Sequence, residues 1–131
     1  MTDEKKALIA YRLACADEMI SDARSLVGEE RWKSAVSRLY YAVFQRVSAL
    51  MIQESIRIKS HSGAKAMLEL HFIKTGRIDK VWGKFYNNLS DSREESDYGA
   101  FVAYTADDVL PLLPQTEAFI DVIKRLIQVN D

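Results

Sequence analysis

The stretch ERWKSAVSRLYYAVFQRVSALMIQE, residues 30–54, carries the strongest structural signal in the chain. Apolar residues recur in it at steps of three and four, which is the spacing of one face of an α-helix. One such stripe contains Trp32, Val36, Leu39, Val43, Val47 and Leu50, and a second stripe beside it contains Tyr41, Phe44, Ser48 and Met51. A helix that is apolar over so wide an arc contacts several neighbours. We therefore predict a central helix over residues 30–54.

Weaker helical patterns flank this segment on both sides. A first helix is predicted over residues 3–26, capped by Thr2, with an inward stripe of Leu8, Tyr11, Cys15, Met19, Ala23 and Leu26. Further helices are predicted over residues 61–74, after cap candidates Ser60 and Ser62, and over residues 79–95, capped by Asp79. Residues 96–104, which include Gly99, are predicted to form an ordered loop docked on the other helices.

The last helical pattern begins at Thr105-Ala106-Asp107-Asp108, a capping signature, and extends to about residue 129. Pro111 and Pro114 interrupt it, because a proline inside a helix removes a backbone donor and clashes with the preceding turn. Two alternatives follow. Either one helix kinks at the prolines, or residues 105–110 form a separate turn and the helix proper begins at Pro111.

Short connections between long helices favour antiparallel neighbours. The fold class is therefore predicted as all-α, an up-and-down bundle of four to five helices in a single domain over residues 1–131. Only five glycines and two prolines are present, too few for the turns of a β-sandwich or barrel. The lone cysteine, Cys15, excludes an internal disulfide, and we interpret it as a small apolar side chain rather than a reactive thiol.

Net charge and hydropathy limit the classes of function. The formal net charge is −1, which does not suggest an indiscriminate nucleic-acid binder. The charge is uneven, however: residues 57–84 contain seven basic and two acidic residues, whereas residues 85–121 contain one basic and eight acidic residues. The basic segment is either a solvated helix face or a surface that attracts phosphate. No signal peptide or apolar span is recognisable, so we expect a soluble cytoplasmic protein without membrane contact.

The residues alone indicate no standard catalytic motif, no metal site and no cofactor. The two histidines, His61 and His71, lie ten residues apart and are interpreted first as surface or capping residues. Arg38 lies one residue before Leu39 on a helix with two adjacent apolar faces, so we expect it to be partly buried. A buried arginine must be paired. We expect an ion pair between Arg38 and the 93–97 segment. For Arg93 itself, an ion pair with Glu94 or Asp97 is favoured slightly over a phosphate contact.

Three segments resemble a prokaryotic branch of the HEPN domain family. Ser37-Arg38-Leu39-Tyr40-Tyr41-Ala42-Val43-Phe44 is similar to its Ser-Arg-x-Tyr-Tyr-Ala-x-Phe run. Lys59-Ser60-His61-Ser62-Gly63 and Phe72-Ile73-Lys74-Thr75-Gly76 are similar to two further segments, and Arg93 with Asp97-Tyr98 resembles its Arg-x-x-x-Asp-Tyr ending. The matches span residues 30–100 in the expected order. The resemblance implies a four- or five-helix bundle that commonly forms a homodimer.

Nuclease members of that family cleave RNA without metal, using an Arg and a His that are separated by four to six residues. Arg93 matches the Arg, but Tyr98 stands where a histidine would be. Because a tyrosine with a pKa of about 10 transfers protons poorly near neutral pH, ribonuclease activity is placed in doubt. The resemblance nominates Arg93 and Tyr98 as catalytic residues, and Arg38, Tyr41, Lys59, His61 and Arg93 as residues that bind nucleotide or RNA.

Three hypotheses about function remain open. The first, which we favour, is a non-catalytic or weakly catalytic HEPN module that partners a minimal nucleotidyltransferase in a toxin–antitoxin-like pair. Some such pairs attach adenylyl groups to a tyrosine near the Arg motif, and Tyr98 is the one candidate here. The second is a ribonuclease that uses Arg93 with a non-standard partner, Tyr98 or His61. The third is a structural or nucleotide-sensing bundle. Convergence of His61 and Arg93 on one pocket would strengthen the second.

Overall fold

The computed structural model describes residues 1–99 and 102–127, and all regular structure within these ranges is helical. The elements in chain order are α1 (Asp3–Gly28), α2 (Trp32–Gln53), α3 (His61–Leu68), a π-helical turn (Glu69–Ile73), α4 (Lys80–Tyr98), α5 (Ala106–Val109) and α6 (Leu112–Leu126). The predicted all-α bundle is confirmed.

Three of the predicted N-cap residues, Thr2, Ser60 and Asp79, are observed at the starts of α1, α3 and α4. The Thr2 hydroxyl accepts a hydrogen bond from the Lys5 backbone N–H at 3.1 Å, and Asp79 Oδ1 accepts one from the Val81 N–H at 2.9 Å. Ser60 Oγ accepts one from the Gly63 N–H at 2.9 Å. Each cap satisfies a helix N–H that has no partner within its own helix, which is worth about 1 kcal/mol.

Helix α2 lies at the centre of the bundle and contacts α1, α3, α4, α5 and α6. Its fully buried apolar residues are Ala35, Val36, Leu39, Tyr40, Ala42, Val43, Val47, Ala49, Leu50 and Met51. Burying each large side chain among them contributes about 1.5–3 kcal/mol. The prediction of a central helix is therefore confirmed.

The face of helix α1 that packs on the core is rotated from the predicted one and shares Ala23 with it. Leu8 and Tyr11 are 54% and 63% exposed, whereas the residues buried along the helix are Ile9, Ala16, Ile20 and Ala23. Ala16 and Ala23 lie on the buried face, and their small side chains favour close packing of α1 against α2. The predicted row is wrong for Leu8 and Tyr11, and Cys15 is half-buried.

The predicted helix over residues 61–74 is present but widens after Leu68. The Lys74 N–H donates to the Glu69 carbonyl at 2.9 Å, a five-residue spacing. This π-helical turn buries Phe72 and brings Ile73 against α4, where a Cβ at Gly83 would lie 3.2 Å from Ile73 Cγ1. Gly76 then ends the segment with a φ of +78°, a conformation that glycine adopts without strain.

Helix α4 is longer than predicted. It continues to Tyr98, so residues 96–98 belong to a helix and not to the predicted loop. The Ser96 hydroxyl donates to the Lys33 carbonyl at 2.6 Å and thereby ties this last turn to the start of α2. Of the rest of the predicted loop, residues 99 and 102–104 lie within the described part, where the Tyr104 hydroxyl donates to the Ser92 carbonyl at 2.9 Å.

The second proline alternative is the one observed. Helix α5 is a separate turn, and Pro111 is the N-cap of α6. Pro114 then lies in the first turn of α6, where a missing N–H costs no intrahelical hydrogen bond. The predicted end of this helix near residue 129 falls outside the described residues. None of the helices in the described part of the chain is long and apolar enough to cross a membrane.

Candidate functional site

Three helices meet around the ring of Tyr40, which is fully buried. Tyr41 and Phe44 come from the same helix, α2, and their ring centroids lie 5.3 and 5.9 Å from that of Tyr40. His61 comes from the first turn of α3, which Ser60 caps, and Arg93 comes from α4. We call Tyr40, Tyr41, Phe44, His61 and Arg93 the Tyr40 cluster.

Arg93 is a charged residue inside this cluster, and only 4% of it is exposed. Its Cζ lies 4.8 Å from the centroid of the Tyr40 ring and 5.9 Å from that of Tyr41, within the range of a cation–π contact. Two carboxylates, of Glu94 and Asp97, each approach a guanidinium nitrogen at 3.8 Å. The favoured ion-pair interpretation of Arg93 is therefore observed for both acids.

The pairing of Arg93 is nevertheless incomplete. A distance of 3.8 Å exceeds hydrogen-bonding length, and the Arg93 Nε has no hydrogen-bond partner within the described residues. A buried guanidinium with a free donor is costly unless something else offsets it. In this cluster the tyrosine rings provide part of that offset.

His61 is half-buried at the edge of the cluster, and its Nδ1 lies 2.8 Å from the Tyr40 hydroxyl. Burial lowers the pKa of His61 below its ordinary value, and the positive charge of Arg93 lowers it further, against an opposing effect of Glu94 and Asp97. The imidazole is therefore neutral at pH 7. In that state one ring nitrogen can accept a proton.

The cluster unites three of the residues predicted for the site, Tyr41, His61 and Arg93. His61 and Arg93 form no hydrogen bond with each other, but both contact Tyr40: His61 through the tyrosine hydroxyl and Arg93 through the face of the ring. Burial raises the pKa of Tyr40, so its hydroxyl stays protonated and available for hydrogen bonding.

Arg38, Lys59 and Tyr98 lie outside the cluster. Arg38 is exposed, with a guanidinium nitrogen 3.5 Å from the Met19 sulfur. The expected ion pair between Arg38 and the 93–97 segment is not found among the described residues. Arg38 precedes Tyr40 by two residues, about 200° around α2, and so it points away from the buried side. Lys59 is exposed on the loop that precedes His61.

Tyr98 is 78% exposed at the last position of α4. It follows Arg93 by five residues, which places it about 140° around the helix from Arg93. Asp97, four residues on, is the residue that shares the Arg93 face. The Tyr98 hydroxyl thus faces solvent rather than the Tyr40 cluster.

The sequence interpretation overlooked a second buried arginine, Arg46, which is 7% exposed. Its guanidinium forms an ion pair of 2.6 Å with Asp17 of α1. A signal was present: Arg46 lies three residues after Val43 and four before Leu50, on the apolar stripe itself. Arg46 is thus the paired buried arginine of α2 that had been expected at Arg38.

A cleft with a volume of about 680 Å³ opens beside His61, between α2 and residues 55–60. We call it the His61 cleft. Phe44, Met51 and Ile58 contribute apolar lining, and His61 lies at one end, where its ring centroid is 4.5 Å from that of Phe44. The Tyr40 cluster and the His61 cleft therefore share Phe44 and His61.

Comparison with known proteins agrees with this architecture. The family model described as HEPN domain matches residues 9–126. A UPF0332 protein of Thermotoga maritima is 39% identical over 126 residues, covering 96% of this chain and 96% of that protein. Two proteins of Methanocaldococcus jannaschii, each bearing the name "Putative toxin", are 29% and 30% identical; the matches cover 96% and 86% of this chain, and 90% and 76% of those proteins.

Proposed function

Because the chain belongs to the HEPN domain family, we propose that it is the HEPN component of a toxin–antitoxin-like pair and binds RNA or a nucleotide beside the Tyr40 cluster. In this proposal it is non-catalytic or weakly catalytic, and it acts as a homodimer with a minimal nucleotidyltransferase as partner. Support for the toxin link comes from the two relatives whose names include the word toxin.

The proposal that the protein is non-catalytic or weakly catalytic depends on the burial of Arg93. A side chain with 4% exposure, packed on two tyrosine rings and flanked by two carboxylates, does not reach a phosphate in this arrangement. The residues that follow it, Glu94 to Tyr98, include no histidine. The general acid–base group that the nuclease pattern requires is therefore missing from α4.

Binding groups are available on the other side of the cluster. Lys59 is exposed and lines the His61 cleft together with His61, and the half-buried Tyr41 ring lies 5.9 Å from the His61 ring between centroids. A lysine attracts a phosphate, and an aromatic face stacks with a base. These positions support RNA or nucleotide binding, whereas the exposed Arg38 contributes at most a peripheral phosphate contact.

Two exposed apolar residues of α1 support a contact with a second copy or a partner. Leu8 and Tyr11 remain exposed three residues apart on one face of that helix, although their size and apolarity are those of core residues. Exposed apolar patches of this kind are typical of protein–protein contacts. Tyr98, being 78% exposed, is accessible to a nucleotidyltransferase and is better placed as an acceptor of an adenylyl group than as a catalytic residue.

The test uses the purified protein, its Arg93→Met variant and a minimal nucleotidyltransferase from the same genome. We expect wild type to bind labelled single-stranded RNA without cleaving it, and to co-elute with the nucleotidyltransferase. Arg93→Met keeps the length and apolar stem of the buried side chain, so RNA binding should change little. Rapid cleavage by wild type that Arg93→Met abolishes would overturn the non-catalytic proposal.

A second candidate function is a ribonuclease that pairs Arg93 with His61. The observation that favours it is their shared contact with Tyr40, together with the neutral state of His61 at pH 7. His61 would accept the proton of the RNA 2′-hydroxyl as that oxygen attacks the phosphorus, and the leaving 5′-oxygen would take a proton from water. Cleavage that is lost in His61→Ala and retained in Tyr98→Phe would select this candidate.

A further inference from the structure

The His61 cleft has the size and composition of a ligand site. Its volume of about 680 Å³ lies within the range of small-molecule pockets in proteins, roughly 300–1,000 Å³. The apolar side chains of Phe44 and Met51 line it from α2, and that of Ile58 lines it from the following loop. An apolar surface of this kind accepts the face of a planar ring.

The charge around the cleft has one sign. Arg12, Arg57 and Lys59 line it, and no acidic side chain is among its described lining residues. None of these three cations has an ion-pair partner within residues 1–99 and 102–127. Arg12 is instead held by a hydrogen bond of 2.9 Å from its guanidinium to Gln45 Oε1. A cleft with apolar lining and unpaired cations suits a ligand that combines a flat ring with a negative charge.

The loop that forms one wall of the cleft is fixed before any ligand arrives. The Ile56 N–H donates to the Met51 carbonyl at 2.8 Å, and Glu54 is paired with Arg77 at 2.7 Å. Ser60, at the end of the wall, caps α3. Binding to a preformed wall avoids much of the entropy cost of ordering a loop.

We propose that the His61 cleft binds one nucleotide unit, with the base against Phe44 and Ile58 and the phosphate at Arg57 and Lys59. This inference rests on the proposed RNA or nucleotide binding and names where the base is held. An arginine forms charge-assisted hydrogen bonds with a phosphate, and a base gains stacking energy on an aromatic ring. The nucleotide is either free or part of single-stranded RNA, since a base within a duplex is not available to enter a cleft.

The first experiment measures anisotropy of a fluorescent single-stranded RNA with wild type and two charge-matched double variants. Arg57→Glu with Lys59→Glu alters the cleft, whereas Lys80→Glu with Lys84→Glu alters exposed lysines of α4 that do not line it. Both pairs change the net charge by the same amount. We expect RNA affinity to fall at least about tenfold for the cleft pair and about threefold or less for the α4 pair. The loss of direct contacts with a phosphate weakens binding more than the loss of the same charge at a distance does.

The second experiment uses wild type alone and tests the base. AMP, UMP and ribose 5-phosphate compete with the labelled RNA, and duplex RNA serves as a further competitor. We expect both nucleotides to compete better than ribose 5-phosphate, and duplex RNA to compete poorly. Direct binding of AMP and UMP in titration calorimetry, together with no binding of the labelled oligonucleotide, would identify the free nucleotide as the ligand.

A variant that fills the cleft gives an independent readout. Ile52 is half-buried and lines the cleft from α2, so Ile52→Trp occupies space there without removing a charge. We expect Ile52→Trp to abolish the preference for nucleotides over ribose 5-phosphate, with thermal melting as the check on folding.

The outcomes separate this inference from the proposed function. Equal RNA affinity for the two double variants would overturn the cleft assignment and leave RNA binding intact. Equal competition by UMP, AMP and ribose 5-phosphate would overturn the base site. Absence of any binding by wild type, to RNA or to nucleotides, would overturn both the inference and the binding part of the proposed function.

Discussion

Replacing Tyr40 with phenylalanine removes a single oxygen from the centre of the site. The substitution keeps the ring on which the Arg93 guanidinium packs at 4.8 Å, and it keeps the buried volume. It deletes the hydroxyl that lies 2.8 Å from His61 Nδ1. A hydrogen bond of this type contributes about 1 kcal/mol to stability. Since His61 is half-buried, a water molecule can form a replacement hydrogen bond with its Nδ1 and offset part of the loss.

The expected loss can be converted to a melting temperature. Unfolding entropy near 60 °C is about 2.1 cal/mol/K per residue, or about 275 cal/mol/K for the 131 residues of this chain. A loss of about 1 kcal/mol therefore lowers the melting temperature by about 4 °C. Differential scanning calorimetry resolves a change of this size.

The neighbouring tyrosine gives a matched control. Tyr41 is half-buried on the same helix, and its hydroxyl has no hydrogen bond among the residues described in the structure. Tyr41→Phe should therefore change stability by less than about 0.5 kcal/mol, and the His61 ring nitrogen shifts in an NMR spectrum should move only in Tyr40→Phe. Equal melting of both variants with unchanged His61 shifts would refute the reasoning.

Three further predictions concern stability. Asp17→Ala leaves the buried Arg46 without its 2.6 Å partner, and because the Asp17 side chain is 68% exposed, we expect a loss of about 1–2 kcal/mol in urea unfolding rather than the larger cost of a fully buried pair. Burial and the positive charge of Arg93 hold the pKa of His61 in the folded protein below its unfolded value of about 6.5. As the pH falls, the unfolded chain therefore takes up this proton before the folded protein does, and the free energy of unfolding should decline below about pH 6.5. The decline should be absent in His61→Gln. Gly76→Ala forces a side chain onto a φ of +78° and should cost about 1 kcal/mol or more, whereas Gly28→Ala, at the helical end of α1 with open space around it, should gain about 0.5–1 kcal/mol; the opposite order in thermal melts would contradict the backbone argument.

The fold was predictable where apolar residues crowd one arc of a helix. In α2 the spacing of Leu39, Val43 and Leu50 leaves little choice, because any rotation would expose several large side chains. In α1 apolar residues occur on both sides. Leu8 and Tyr11 were predicted to be buried, yet Ile9, Ala16 and Ile20 are the residues that the core buries. The fit between α1 and its neighbouring helix decides which side is buried, and the spacing of apolar residues within α1 does not show that fit.

The site was predictable in part. Tyr41, His61 and Arg93 were nominated through the family resemblance, and the structure brings them around one ring. The role of Tyr40 as their common contact depends on how α3 and α4 pack on α2, and no local sequence pattern encodes that. The position of Tyr98 was missed because the helix was predicted to end near residue 95. Since α4 continues to Tyr98, a count of five residues from Arg93 places Tyr98 on another face.

The wider turn at Glu69–Ile73 has a consequence for how this chain should be aligned with its relatives. A turn closed over five residues holds one more residue than an α-helical turn, which is the signature of an insertion absorbed within a helix. Leu70, 48% exposed, is the surplus residue that the turn could lose while Phe72 stays in the core. Homologues one residue shorter at this point are therefore expected to keep the same helix order, and a gap placed here in an alignment marks a change of helical winding rather than a missing piece of the fold.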